Sequence, residues 1–253
     1  MVPDAGLEVI VPRWRAPTRV KAVSTLRRGG FSLTPYDSFN LAEHVGDDQN
    51  CVLRNRELLQ QALSLPAEPG WLEQTHSTRV VVLEEDASRS ADAAITRLVD
   101  SAAVVMTADC LPILLCNHAG TEVAAVHAGW RGLADGVIQA TLKKMQSPAD
   151  ELIAWIGPGI SRQCFEVGDE VRDIFLTHVK DNQQYFNPNR PGHWLCDLAG
   201  LATGVLSRYG ITEIDRDPGC SYRDESRFFS YRRNITCGRM ASLIWIESRV
   251  TAD

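Results

Sequence analysis

Three side chains that bind soft metal ions lie at or near the ends of apolar segments in this sequence. Cys110 falls within Met106-Thr-Ala-Asp-Cys-Leu-Pro112, His127 within Ala125-Val-His-Ala-Gly-Trp-Arg-Gly132, and His76 in a polar stretch just before the apolar run 79–83. Thiolate and imidazole are the ligands that zinc prefers, and three protein ligands leave its fourth tetrahedral position for water or substrate. The three residues therefore predict a catalytic zinc site, with about one ion per chain.

Each of these residues also has a simpler interpretation. A single cysteine or histidine at a strand end is more often a packing residue, but two neighbouring strands that both end in one favour a shared site. Cys116 lies six residues beyond Cys110 and offers a fourth ligand, and a closed site that used it would be structural rather than catalytic. Cys110 and His127 are the predicted catalytic residues, together with Asp109. That carboxylate either orients a ligand, shuttles a proton or caps its strand.

Arginines near these motifs are candidates for binding an anionic substrate. Arg131 follows Trp130 directly after the His127 motif, and Arg56 and the Arg232-Arg233 pair are the other candidates for holding phosphate. The segment 227–239 combines two phenylalanines, a tyrosine and several arginines. It predicts an aromatic and cationic wall around an anionic ligand, or equally an edge strand with exposed arginines.

The stretch 25–48 is rich in Gly, Asn, Asp and Ser, which indicates well-defined turns. Asn40 both donates and accepts hydrogen bonds, so it is suited to read a sugar hydroxyl or a base edge. Arg27 and Arg28 are suited to hold an anion. Ordinary turn chemistry with solvated charges explains the same stretch equally well.

The elements that position these residues follow from hydrophobic periodicity and turn signals. Strands are predicted over 18–26, 79–83, 102–107, 113–116, 122–126, 152–156, 211–214 and 241–246, and helices over 50–63, 132–145, 169–179 and 195–209. Strands often follow one another directly, which predicts an α/β fold with a mixed β-sheet core flanked by helices. No linker divides the chain, so residues 1–253 are expected to form a single layered domain.

The composition excludes several classes of protein. The 253 residues carry 26 Lys and Arg against 32 Asp and Glu, a net charge of −6, which disfavours nucleic acid as a partner. No apolar stretch approaches the ~20 residues of a membrane span, and the N-terminus has no signal-peptide pattern. The seven cysteines include no CxxC pair, as in a cytoplasmic protein with reduced thiols. Six histidines are too few for the several copper centres of a multicopper oxidase.

With these motifs in view, the sequence resembles the bacterial YfiH family. The resemblance runs from about residue 11 to residue 247 and rests on segments 25–32, 38–48, 73–76, 156–160, 165–168 and 228–240, and above all on the paired motifs TADCLP at 107–112 and HAGWRG at 127–132. It implies a single-domain α/β fold related to the catalytic fold of cytotoxic necrotizing factor. It also implies zinc bound by His76, Cys110 and His127, with Asn40 and Arg56 contacting substrate.

Members of that family are variously called purine nucleoside phosphorylase, laccase-like polyphenol oxidase and peptidoglycan editing factor. The resemblance therefore implies phosphorolysis of purine nucleosides (adenosine, inosine, guanosine and methylthioadenosine), with hydrolytic deamination of adenosine, because zinc activates water. The alternative is an amidase that removes L-serine from a UDP-muramyl amino acid, and copper-dependent oxidation is disfavoured. In each case the expected partner is a small molecule, and the chain is expected to be a monomer or a weak homodimer.

Overall fold

The structure is a computed structural model that describes residues 7–248. Within these residues the strands are β1 Val9–Ile10, β2 Val20–Thr25, β3 Val80–Val82, β4 Ala93–Thr96, β5 Ala102–Thr107, β6 Leu111–Asn117, β7 Val123–Ala128, β8 Leu152–Ile156, β9 Glu166–Gly168, β10 Phe186–Arg190, β11 His193–Cys196, β12 Glu213–Arg216 and β13 Met240–Ile246. The helices are α1 Gln49–Ala62, α2 Trp130–Asp135, α3 Val137–Lys144, α4 Asp169–His178 and α5 Leu198–Arg208. Short 3-10 helices cover Glu43–Val45, Ala149–Glu151, Arg162–Cys164 and Lys180–Tyr185.

The described strands form three sheets. The largest has the order β12-β8-β6-β7-β4-β3 and is mixed, because β12 pairs with β8 and β3 with β4 in parallel while the other pairs are antiparallel. A four-stranded antiparallel sheet has the order β1-β2-β13-β5, and a small antiparallel sheet has the order β10-β11-β9. The prediction of an α/β fold with a mixed sheet flanked by helices is confirmed.

The two larger sheets pack face to face, and helices cover their outer faces. Leu114 and Trp155 of the six-stranded sheet share a buried cluster with Val105 and Ile244 of the four-stranded sheet. On the other face of the six-stranded sheet, its residues pack against α2, α3 and α5, while α1 packs on the four-stranded sheet. Strands that are buried on both faces have continuous apolar sequences, which is why β5 and β7 lack the alternating pattern of a half-exposed strand.

Several predicted boundaries differ from those in the structure. The helix expected over 132–145 is two helices, because Gly136 between them has φ +97°, a conformation that side chains rarely adopt. The helix expected from residue 195 begins at Leu198, since the preceding residues pair as β11, and Asp197 caps the helix by accepting a hydrogen bond from the Gly200 N–H. The strand β4 and the hairpin β10–β11 were not predicted.

The single-domain prediction for residues 1–253 stays a prediction. Residues 1–6 and 249–253, including the N-terminus on which the expectation of no export rests, lie outside the described part of the chain. Over the described residues, no helix has both the length and the apolar character needed to cross a membrane.

A buried carboxylate directly before β7 joins three parts of the fold. Glu122 is 2 % exposed and accepts hydrogen bonds from the backbone N–H groups of Gln146 and Ser147 and from Nε of Arg97, the last at 2.8 Å. Burial alone would raise its pKa, but these hydrogen bonds and the Arg97 charge hold the pKa of Glu122 below its ordinary value. The ionised carboxylate is therefore the form that stabilises the fold.

Glu122→Gln is predicted to lower the free energy of unfolding at pH 7 by about 1–3 kcal/mol, because an amide cannot accept from all three donors. The native pKa is depressed, so the carboxylate's contribution is fully present above its ordinary pKa of 4.5 and is lost as pH falls through the native pKa. Urea unfolding should thus show that the difference in free energy of unfolding between wild type and variant becomes smaller at acidic pH. Glu151→Gln, a substitution of an exposed carboxylate, is the control. A difference in free energy of unfolding between wild type and Glu122→Gln that does not depend on pH would contradict a stabilising role of the ionised Glu122.

Candidate metal centre

His76, Cys110 and His127 lie together in the structure. One ligand atom from each lies within 4.8 Å of the others, and Cys110 Sγ is 3.9 Å from His76 Nε2. Donor atoms around a tetrahedral zinc ion are about 3.3–3.8 Å apart, given bond lengths near 2.0–2.3 Å. The three residues therefore form a metal-binding group whose dimensions fit an ion of this size with little movement.

The strand pairing of β6 and β7 places two of the three ligands. Cys110 directly precedes β6, and His127 lies in β7 opposite Pro112. The chain then passes through Gly129 into α2, so the HAGWRG motif is a strand end, a close turn and a helix start. His76 comes from the loop before β3 and has φ +59°, which is uncommon for a residue with a side chain.

Asp92 positions the two histidine ligands. It is fully buried just before β4, and Oδ1 lies 2.8 Å from His127 Nδ1. Its carboxylate also accepts hydrogen bonds from the N–H groups of Thr75, His76 and Ser77 and from the Ser77 hydroxyl. A carboxylate that holds one nitrogen of a ligating histidine fixes the ring and leaves the other nitrogen for the metal. Burial opposes ionisation of Asp92, but these hydrogen bonds lower its pKa to about 2.

The electrostatics of the cluster favour the metal-binding form of the cysteine. Burial would raise the pKa of Cys110, but the charges and hydrogen bonds of His127 and His76 lower it, so the thiolate is favoured. Cys116 behaves differently: it is fully buried near the other end of β6, and burial raises its pKa to about 12. Cys116 does not belong to the group, so the closed four-ligand site that the sequence left open is wrong.

The ligands line a cavity of about 480 Å³. Its wall also includes the aromatic side chains Trp130, Phe165 and Tyr231 and the cations Arg131, Arg232 and Arg239. Small-molecule sites in proteins commonly have volumes of about 300–1,000 Å³ and combine apolar walls with a few polar groups. The arrangement is therefore that of a small-molecule site with a metal-binding group on its wall.

Asp109 lines this cavity, but both of its carboxylate oxygens already have partners. Oδ1 accepts a hydrogen bond of 2.6 Å from the Ser221 hydroxyl, and Oδ2 accepts one of 2.6 Å from the Arg232 N–H. Its backbone has φ +95°, and its carbonyl accepts from the Ile160 N–H. Asp109 thus ties the loop carrying Arg232 to the cavity. Orienting a metal ligand was one of the roles predicted for Asp109, but in the structure Asp92 is the carboxylate that bonds His127. A proton-transfer role for Asp109 stays a prediction.

The predicted substrate residues fall in two places. Arg131 lines the cavity, where its guanidinium lies 4.3 Å from the centre of the Trp130 ring. Asn40 is fully buried, and Arg56 bonds the Leu41 carbonyl and Glu43, so neither residue lies on the cavity wall. Substrate contact by Asn40 and Arg56 stays a prediction.

The segment 227–239 forms turns, so the alternative prediction of an edge strand is wrong. The cavity wall includes three of its residues, Tyr231, Arg232 and Arg239, as expected for an aromatic and cationic wall. Arg233 instead donates hydrogen bonds to backbone carbonyls.

Two residues of the site were not predicted from the sequence: Asp92 and His44, of which His44 lines the cavity. The sequence does contain a signal for Asp92, because it is a single charged residue directly before the small apolar run 93–95. A charge next to such a run must find buried partners.

Comparison with known proteins assigns the chain to a family. The family model described as multi-copper polyphenol oxidoreductase laccase matches residues 21–247, and the chain belongs to this family, to which the YfiH proteins also belong. Purine nucleoside phosphorylase of Haemophilus influenzae is 44% identical over 95% of this chain and 100% of its own length. Purine nucleoside phosphorylase YfiH of Escherichia coli K12 is 45% identical over 94% of this chain and 99% of its own.

A solved structure gives the same result. The Neisseria meningitidis protein NMB0706, of family DUF152, superposes with a TM-score of 0.92 at 45% identity and covers 95% of this chain and 99% of its own. The resemblance to the YfiH family is thereby confirmed.

Gly129 leaves no room for a side chain beside the metal ligands. A Cβ atom there would lie 2.8 Å from Cys110 Sγ and 3.1 Å from His76 Cδ2. Gly129→Ala is therefore predicted to displace both ligands and lower the metal content well below the wild-type level, measured by elemental analysis of purified protein. Gly132→Ala is the control, since its Cβ would have no neighbour closer than 3.4 Å. Equal metal content in both variants would contradict the steric argument.

Asp92→Asn is predicted to weaken metal affinity by about 10- to 100-fold, because an amide donates as well as accepts and cannot serve all the donors that the carboxylate holds. Competition with a chelating dye measures the loss. Ser77→Ala removes only the hydroxyl contact to Asp92 and should weaken binding less, while the exposed Asp150→Asn should leave affinity unchanged. Wild-type affinity in Asp92→Asn would show that Asp92 does not orient the ligands.

Proposed function

We propose that this protein is a zinc-dependent purine nucleoside phosphorylase that also deaminates adenosine. The observation that carries the proposal is a three-ligand metal-binding group opening onto a cavity whose wall combines aromatic rings with arginines. Relatives named purine nucleoside phosphorylase, similar over nearly the whole chain, support the substrate class. The ligand types support zinc, because a thiolate and two imidazoles bind zinc better than they bind Mg²⁺ or Ca²⁺.

Phosphorolysis needs two substrates to be held together. A phosphate oxygen bonds to C1′ of the ribose as the bond from C1′ to the purine nitrogen breaks, and the electron pair leaves with the base. The proton that phosphate loses ends on the base. The aromatic side chains Trp130, Phe165 and Tyr231 are suited to pack against a purine, and the arginines to hold phosphate. Arg131, which is exposed, is suited to contact substrate on the open part of the wall.

Zinc, when bound, supplies a Lewis acid that stabilises developing negative charge and lowers the pKa of water, the chemistry that deamination requires. The chain's own contribution is to fix the ligands and exclude bulk water. Asp92 holds His127 in one tautomer, and His127 is only 4 % exposed. A preorganised, partly dry site makes each electrostatic interaction stronger than it is in water.

Protein carrying about one zinc per chain is predicted to release hypoxanthine from inosine only when phosphate is present, with ribose 1-phosphate as the second product. Cys110→Ala should reduce this rate to background while Cys51→Ala, a substitution in α1, leaves it unchanged. Chromatography of base and sugar phosphate measures both. Zinc-loaded protein with no phosphate-dependent release would overturn the proposal.

The same preparation tests the other activities. Inosine formed from adenosine without phosphate would support deamination. Release of L-serine from a UDP-muramyl-serine conjugate, without action on nucleosides, would favour the editing amidase. Several copper ions per chain with oxidation of phenols would favour the oxidase.

A further inference from the structure

The arginines on the cavity wall outnumber the carboxylates there. Within residues 7–248, no Asp or Glu lies at ion-pair distance from Arg131, Arg232 or Arg239. Asp109 is the one carboxylate on the described wall, so three guanidinium groups share the wall with a single carboxylate. A chain with a net charge of −6 thus has a locally positive cavity, which favours an anionic ligand.

The three arginines differ in how firmly they are held. Arg239 is half-buried, and its Nη1 donates to the carbonyls of Cys237 at 2.7 Å and Gly238 at 3.0 Å. Its Nε and Nη2 have no partner in the described part of the chain, so two nitrogens with three N–H groups remain in a fixed orientation. Arg131 is exposed and makes no side-chain hydrogen bond to residues 7–248, and the exposed Arg232 donates its Nη1 to the Glu166 carbonyl. A preorganised donor is the better anion ligand.

His44 lines the same cavity as Arg239. Partial burial lowers the pKa of His44, and the positive charges of Arg239 and Arg56 lower it further. The imidazole is therefore neutral near pH 7 and has one N–H to donate.

Asn40 connects the two side chains through the backbone. Its Oδ1 accepts hydrogen bonds from the N–H groups of Ala42 and Arg239, and its Nδ2 donates to the Ala42 carbonyl and to Asp47. Arg56 holds the same segment through the Leu41 carbonyl at 3.0 Å. The position of Arg239 relative to the short helix Glu43–Val45, which carries His44, is therefore set by a fully buried amide.

We propose that Arg239 and His44 form the subsite for inorganic phosphate, with Asn40 and Arg56 as positioning residues behind it. Nε and Nη2 of Arg239 match two phosphate oxygens in a bidentate arrangement, and the imidazole N–H binds a third. The remaining oxygen is left to bond to C1′ of the nucleoside. This inference rests on the proposed function and names the residues that hold its second substrate.

The test separates phosphate from nucleoside. Arg239→Gln and His44→Asn are each expected to raise the KM for phosphate by about 10- to 100-fold while the KM for inosine changes less than twofold. Arg239→Lys keeps the charge without the planar fork and should give an intermediate value. Arg208→Gln, a surface substitution in α5, is the control and should match wild type. Circular dichroism and zinc content verify that each variant is folded and loaded.

Isothermal titration of inorganic phosphate into wild type and variants provides a readout independent of turnover. Weaker phosphate binding by Arg239→Gln, with wild-type binding by Arg208→Gln, supports the subsite even if no nucleoside is cleaved, and then only the proposed function fails. A raised KM for inosine with an unchanged KM for phosphate overturns the subsite while phosphorolysis stands. Phosphate binding that is weakened by Arg131→Gln but not by Arg239→Gln or His44→Asn would also overturn the subsite. A wild-type protein that neither binds phosphate nor cleaves nucleosides contradicts both proposals.

Discussion

The metal centre depends on a single buried carboxylate. Asp92 is fully enclosed, yet it accepts one hydrogen bond from His127 and four from the turn that carries His76, three of them from backbone N–H groups. The loop of His76 adopts a left-handed backbone that a non-glycine residue adopts at some energetic cost, and these N–H contacts offset that cost. Because one group holds two ligands that are distant in sequence, their separation is fixed before any ion binds, and the thiolate of Cys110 completes a site of defined size.

The sheet around Asp92 explains why so small a site is rigid. β6 and β7 are buried on both faces between the four-stranded sheet and the helices, so neither strand can move without disturbing closely packed side chains. Cys110 and His127 take their positions from the register of these two strands. Gly129 then lets the backbone approach the ligands where any side chain would collide with them.

The sequence was sufficient for the ligands and for most of the strands because each ligand type is chemically distinctive and the strands are long apolar runs. It was insufficient for Asp92, whose partners lie 15–17 and 35 residues away and leave no local spacing pattern. The short strand β4, Ala-Ala-Ile-Thr, lacks the length and aromatic content that mark a strand. Gly136 divides a helix whose hydrophobic period continues across the break, so periodicity could not locate it.

The residue types of Asn40 and Arg56 do not reveal the contacts that these side chains make in the fold. Both are polar residues in a turn-rich stretch, which is compatible with substrate contact, but in the structure Asn40 bonds Ala42, Asp47 and the Arg239 N–H, and Arg56 bonds the Leu41 carbonyl and Glu43. A buried amide with several partners costs more to disturb than an exposed one, because each partner would be left unsatisfied. That cost is what makes Asn40 suitable for fixing the backbone of Arg239. An arginine held in this way keeps its free N–H groups in one orientation, and it can then recognise an anion by shape as well as by charge.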